Sequence, residues 1–150
     1  MQLDSLYQEV ILDHYKHPQH KGLSSNFDAQ VHHVNTSCGD EITLNITLEA
    51  DMVSSLTWDG QGCSISQASV SMMSDLLLGK SINDASAILS SFCELMASKG
   101  TSTGDADLLE DAVAFAGVSK FPGRIKCALL GWMAFKDVVI QAQSNEDNSR

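Results

Sequence analysis

Cys38-Gly39-Asp40-Glu41-Ile42-Thr43-Leu44-Asn45-Ile46-Thr47-Leu48-Glu49 is the run that decides how this chain folds. From Ile42 onward apolar and polar residues alternate without a break. Ile42, Leu44, Ile46 and Leu48 fall on one face, and Thr43, Asn45, Thr47 and Glu49 on the other, the period-2 signature of a strand. Such alternation implies a sheet covered on one side only. Upstream, Ala29 to Asn35 reads as a strand of weaker alternation. Downstream, Ala50-Asp51-Met52 turns the chain into a third strand, Val53 to Asp59. The three form an antiparallel meander, with Cys38-Gly39-Asp40 as the turn between its first two strands.

The rest of the chain reads as helices, which makes the fold class α+β: a small three-stranded antiparallel sheet with helices packed on one face. Leu3, Leu6, Tyr7, Val10, Ile11 and His14 lie at helical spacing behind Asp4 as N-cap. That helix stops near His17, because Pro18 disfavours helical geometry in the residue before it. Ser64 opens a second helix with Ile65, Ala68, Met72, Met73 and Leu76 as its inner stripe, ending near Gly79. Ser81 opens a third, with Ala85, Ile88, Leu89, Phe92 and Met96 facing inward and Gly100 closing it. A short helical pattern follows between Asp105 and Gly117. A long apolar run from Cys127 through Trp132, Phe135 and Val139 is expected to be the central buried helix. Periodicity fades from Gln141. A single domain over residues 1–143 with a flexible tail at 144–150 is the expectation.

At 150 residues the chain is long enough to bury a core without staples. Its 43% hydrophobic and 19% charged residues are those of an ordinary globule. A formal charge of −10 argues against a nucleic-acid or anionic-membrane surface, which would need a basic face. No apolar run approaches the length of a spanning helix and no leader-like segment opens the chain, so a cytoplasmic protein is expected. In a reducing compartment, four cysteines point to metal or redox chemistry rather than disulfides.

Three of those cysteines suit one site. Cys38 and Asp40 would stand roughly 6–7 Å apart on one face of an extended strand, but Gly39 between them can bend the backbone and aim both at one point. Cys63 follows Gly60-Gln61-Gly62 at a helix start, and Cys127 also lies near a helix start. There the helix dipole favours thiolate, and Arg124 and Lys126 add positive charge beside Cys127. Cys38, Asp40, Cys63 and Cys127 form a candidate set of three sulfurs and one oxygen for zinc. Asp40 is the harder donor, so the set would exchange a ligand more readily than four cysteines. Cys38, on its glycine-hinged turn, is the thiol best placed to move and to take sulfur as a persulfide. Spacing alone leaves open a purely structural zinc site, or three ordinary thiols. Cys93, inside a helix, reads as a small half-buried thiol. His14, His17 and His20 are spaced in threes, but would share a helix face only if the helix passed Pro18.

Four segments carry a resemblance: Asp13-His14-Tyr15-Lys16 with Pro18 and Gly22; Cys38-Gly39-Asp40; Gly60-Gln61-Gly62-Cys63-Ser64-Ile65-Ser66; and Arg124-Ile125-Lys126-Cys127-Ala128. With them nearly the whole chain resembles the IscU-like (NifU N-terminal type) family of iron–sulfur cluster assembly proteins, most closely its SufU branch. Scaffold members carry histidine immediately before the last cysteine, where this chain has Lys126. SufU members carry an insertion that the Gly100 to Gly117 region is similar to. The family's usual proline two residues before the first cysteine is Thr36 here. The resemblance implies the ligand set Cys38, Asp40, Cys63 and Cys127 around Zn²⁺. It also implies sulfur transfer from a SufS-type cysteine desulfurase to Cys38, with Arg124 assisting at the partner interface, and delivery to the downstream Suf cluster-assembly machinery. On that reading the chain is the desulfurase's sulfurtransferase-like partner rather than a stand-alone enzyme. A scaffold on which a [2Fe–2S] cluster is built is the alternative, and a structural zinc module is the third possibility.

Overall fold

The computed structural model describes residues 5–148. Helix α1 spans Ser5–Lys16, and strands β1 (Ala29–Asn35), β2 (Asp40–Glu49) and β3 (Met52–Gln61) follow. Then come helices α2 (Ser64–Leu77), α3 (Ile82–Ala97) and α4 (Ala106–Leu109), a 3-10 helix Glu110–Lys120, and helix α5 (Pro122–Asn148). Asp4, the expected cap of α1, lies outside the described residues. The last bond of α1, His17 N–H to the Asp13 carbonyl, sits directly before Pro18 as the sequence requires.

The sheet is the expected meander, order β1-β2-β3 and antiparallel throughout. Cross-strand pairs put Val31 beside Leu44 and Leu44 beside Trp58, so one apolar layer runs across all three strands. Ile42, Leu44, Ile46 and Trp58 are buried there. α5 lies across β1 and β2, while α2 packs on β3. Leu48, expected inward, is only half-buried, because a register shift between Thr47 and Leu48 breaks the alternation there. Asn45, expected outward, is buried. Its amide donates to the Ser24 carbonyl and its oxygen accepts from Gln30, so the loop before β1 covers that part of the polar face. The free edge of β3 is partly occupied too, since Gly22 N–H donates to the Trp58 carbonyl and Trp58 N–H to that of His20.

The central helix is α2 as much as α5, which corrects the expectation that α5 alone holds the middle. Twelve of the fourteen α2 residues are buried, and the helix packs between α1, α5 and β3. Its four buried serines are tolerated because each hydroxyl is hydrogen-bonded. Ser69 Oγ donates to the Ala128 carbonyl at 2.6 Å and accepts the Trp132 indole N–H at 3.0 Å. Ser74 donates to Ser71 O, and Ser71 Oγ accepts Gln19 N–H. The Trp132 ring stacks on Phe92 of α3 at 4.2 Å, joining three helices at one point.

Ser81 caps α3 by accepting Asp84 N–H. The Asp105 to Gly117 pattern is not one helix. It breaks at Glu110, whose φ is +48°, into α4 and the 3-10 helix, which still bury Leu109, Ala112 and Phe115. Helix α5 does not lose order at Gln141. It continues to Asn148, with Ala142 buried and the Asn145 side chain donating to the Asp28 carbonyl. Among the described residues no helix is long and apolar enough to cross a membrane.

Candidate metal centre

The centre sits where the β1–β2 hairpin, the start of α2 and the second turn of α5 meet. Asn35 and Asp40 are the last paired residues of the hairpin, so Thr36 to Gly39 form its loop. Gly39 takes φ +70°, a left-handed conformation that lets the loop turn back under Cys38. Cys38 N–H donates to the Asn35 carbonyl, which closes the turn. Asp40, the first residue of β2, is fully buried. Cys63 is the N-cap of α2 in extended conformation, and its backbone N–H donates to Asp40 Oδ1 at 2.9 Å. Cys127 is fully buried on the inner face of α5.

The structure brings Cys38, Asp40 and Cys127 together, with one ligand atom from each lying within 4.8 Å of the others. The sulfurs of Cys38 and Cys127 are 3.1 Å apart. That is far longer than a disulfide bond of about 2.05 Å, and both thiols are free. Cys63 stands outside this tight trio. Its contribution to the geometry is the N–H that orients the carboxylate, and its side chain also acts on Cys127. The thiol of Cys127 is pushed well above its ordinary range, first by burial, then by the side chains of Cys38, Asp40 and Cys63 around it. Arg124 and Lys126 are exposed on the first turns of α5. Arg124 is held in its charged form chiefly by Cys127, then by Cys63.

Asp40 Oδ2 is buried and has no hydrogen-bond partner, a position that costs about 1–3 kcal/mol when left unmade. A cation bound by the two adjacent sulfurs and this oxygen would satisfy it. Two thiols beside one carboxylate suit a thiophilic ion such as zinc, whereas calcium or magnesium would call for oxygens throughout. Gly62 permits the approach. A Cβ there would strike Asp40 Oδ1 and come within 2.8 Å of Ser66 Oγ.

The other sequence candidates go elsewhere. His14 Nδ1 pairs with Ser71 Oγ at 2.8 Å and His20 with Asp75 at 3.2 Å, while His17 is exposed, so the three histidines hold no common point. Cys93 is half-buried in the wall of a groove of about 450 Å³ between α3 and α5, where burial pushes its thiol up. Asn35 is the residue that motif reading missed. Its amide nitrogen lies 3.9 Å from the Cys127 sulfur. The available signal was an asparagine three residues before a cysteine, a common opening for a side-chain-closed turn.

Residues 6–128 match the family model of the NifU-like N terminal domain. The zinc-dependent sulfurtransferase SufU of Bacillus subtilis (strain 168) is 43% identical over 141 residues, 94% of either chain. The iron–sulfur cluster assembly scaffold protein IscU of Streptococcus pyogenes serotype M1 is 39% identical over 91% of this chain and 84% of its own. Among solved structures, an iron–sulfur cluster assembly scaffold protein for the SUF system from Fervidobacterium islandicum AW-1 superposes with a TM-score of 0.81 at 30% identity. That match covers 87% of this chain and 94% of that one. The chain therefore belongs to the family of NifU-like N-terminal domains, the IscU-like proteins of iron–sulfur cluster assembly, and within it to the SufU branch.

Proposed function

We propose that this chain is a zinc-dependent sulfur acceptor that takes persulfide sulfur from a SufS-type cysteine desulfurase, in the cytoplasm, for iron–sulfur cluster assembly. Cys38, Asp40, Cys63 and Cys127 are its metal ligands, and Cys38 is the thiol that reacts. The observation that carries the reading is the meeting of two free thiols with the orphaned oxygen of Asp40. One of those thiols stands on a turn hinged at Gly39. The printed name of the Bacillus relative supports both the metal and the activity. When bound, zinc would keep its thiolates ionised at neutral pH.

The residues divide the work. Cys127 is buried on a rigid helix and stays in place. Cys38 is half-buried on the loop and is the one able to reach a partner. Its thiolate attacks the outer sulfur of the desulfurase persulfide. One S–S bond forms as another breaks, the partner's cysteine leaves as thiolate, and the proton remains on the terminal sulfur, so no electrons are gained or lost. Arg124, exposed and charged one helical turn before Cys127, offers a cation to the approaching anionic sulfur at the partner interface. In this scheme the chain works as the desulfurase's partner and not alone, and hands sulfur on to the downstream Suf machinery.

The test is sulfide release by the desulfurase in the presence of Cys38→Ala. Loss of stimulation in a protein that still folds is the expected result, and wild-type stimulation would reject the mechanism. The name of the Streptococcus relative favours a second reading, a scaffold for a [2Fe–2S] cluster. Lys126 in place of the scaffold histidine opposes it. Anaerobic reconstitution giving a coloured protein that transfers its cluster intact would establish it.

A further inference from the structure

We propose that the groove between α3 and α5 is a docking site for one amphipathic helix of a partner protein, whose carboxylate meets Lys136. No residue of the metal centre lines the groove, so the site is independent of the sulfur-acceptor reading.

Each wall is a stripe at helical spacing. From α3 come Ile82, Ser86, Leu89 and Cys93. From α5 come Met133, Lys136, Ile140 and Gln143. Steps of three and four residues put each set on one face of its helix, so the two stripes face the groove along its length. From Ile82 to Cys93 the wall rises about 16 Å, or about three turns. Leu89 and Met133 are half-buried, and Ile140 is 57% exposed although it is a large aliphatic side chain. Two packed helices with such stripes leave a valley of the shape that a third helix fills, its side chains seated between theirs.

Charge decides the occupant. Lys136 is exposed, and among the described residues no carboxylate lies within ion-pair distance of it. Its ammonium is felt at the Cys93 thiol on the facing wall, so it acts across the groove and not away from it. No aspartate or glutamate lines the groove. A second copy docking groove to groove would therefore bury two lysines with no acid in the contact, and each copy carries a formal charge of −10, which opposes close approach. An acyl chain with a carboxylate head would meet the cation, but sites for such ligands enclose most of the molecule, whereas Lys136 and Ile140 stand open to solvent here. A helix with an apolar stripe and one aspartate or glutamate beside it matches the aliphatic walls and the cation together.

The probe is a fluorescein-labelled, hydrocarbon-stapled peptide of about four helical turns, with leucines at helical spacing and one glutamate beside them. A second probe carries lysine in place of that glutamate. Binding to the full chain is followed by fluorescence anisotropy and mapped by amide chemical shifts of the isotope-labelled protein. The glutamate peptide is expected to shift amides along the facing stripes of α3 and α5. Lys136→Glu should weaken that peptide about tenfold, as loss of one charge pair implies, and should bind the lysine peptide about tenfold better than wild type does. Ile140→Glu should weaken the glutamate peptide at least as much. Both positions are exposed, so both variants are expected to keep the fold, which circular dichroism checks. No binding by wild type, shifts that map elsewhere, or equal affinity of wild type and Lys136→Glu for the glutamate peptide would overturn the proposal. A dimer in sedimentation that Ile140→Glu dissociates would overturn it in favour of a second copy. Palmitate shifting these amides where the peptide does not would overturn it in favour of a small amphiphile.

Discussion

Replacing Asp40 with asparagine is expected to stabilise the metal-free protein and to weaken zinc binding, two effects of opposite sign from one atom. Asp40 is fully buried, and only Oδ1 is bonded, to Cys63 N–H. Asparagine can keep that bond through its own oxygen. In place of the orphaned Oδ2 it puts an NH₂ group beside the Cys38 and Cys127 sulfurs, which can accept. Removing an unpartnered buried acceptor is worth about 1–3 kcal/mol. In a chain of 150 residues each kcal/mol moves Tm by roughly 2–4 °C, so the metal-free variant should melt at least about 2 °C higher. With zinc the order reverses, since a neutral amide is a poor substitute for a carboxylate ligand and the stabilisation conferred by bound metal falls with affinity. Thermal unfolding followed by circular dichroism, in chelator and reductant and then in excess zinc, measures both halves. A variant that melts lower than wild type in chelator would mean that Asp40 Oδ2 has a partner, and the metal-site argument built on that atom would fail.

Gly62→Ala should act on the same carboxylate from the other side. Its Cβ would collide with Asp40 Oδ1 and crowd Ser66 Oγ, displacing the ligand and lowering stability by about 1–3 kcal/mol, with zinc affinity falling alongside; competition with a chelator reads the second effect. Ser69→Ala leaves the Trp132 indole N–H buried without an acceptor, at a cost of about 1–3 kcal/mol in urea denaturation. Wild-type zinc content should be retained, because the change lies in the core. The metal-free chain should also lose stability in alkali. The Cys127 thiol is raised in the folded state, so its contribution is intact below the unfolded thiol value near 8.5. Above that it is lost at up to about 1.4 kcal/mol per pH unit, as only the unfolded chain gives up the proton. Urea midpoints from pH 7 to 10 test this, and a flat profile in chelator would contradict it.

The sheet was legible because its information is local. Alternation from Ile42 to Leu48 set the face, and the boundaries of β1 match the residues read for it. β2 begins two residues earlier than its apolar pattern, because pairing with Asn35 brings Asp40 into the ladder. Where reading and structure part, the cause is tertiary. The pattern of α2 looked amphipathic, since most of its polar residues are serines. Four of those serines are buried, and their hydroxyls bond to backbone or to Trp132, which periodicity cannot register. The break at Glu110 and the persistence of α5 past Gln141 likewise depend on what the neighbouring elements supply. Of the site, the bend at Gly39 could be argued from residue types. The return of Cys127 across almost ninety positions was expected from its place near a helix start and from family resemblance, because no rule of spacing brings a distant helix to a hairpin. Cys63, by contrast, is placed at the expected helix start yet stands apart from the tight trio.

That separation bears on how the centre is built. Cys127 and Asp40 are buried in regular elements, one on α5, the other as the first residue of β2. Cys63 is tied to Asp40 through its backbone rather than its sulfur. Cys38 sits on the hairpin loop, and Cys63 on the short connection before α2. A site in which the fold creates the pocket and one ligand closes it differs from a zinc finger, where metal creates the fold. On that proposal the metal-free form would keep the sheet and helices, and release of one sulfur from the ion would leave the fold intact. In the proposed scheme Cys38, on the hairpin loop, would be free to serve as a reagent, and the buried Asp40 and Cys127 would keep the address to which it returns.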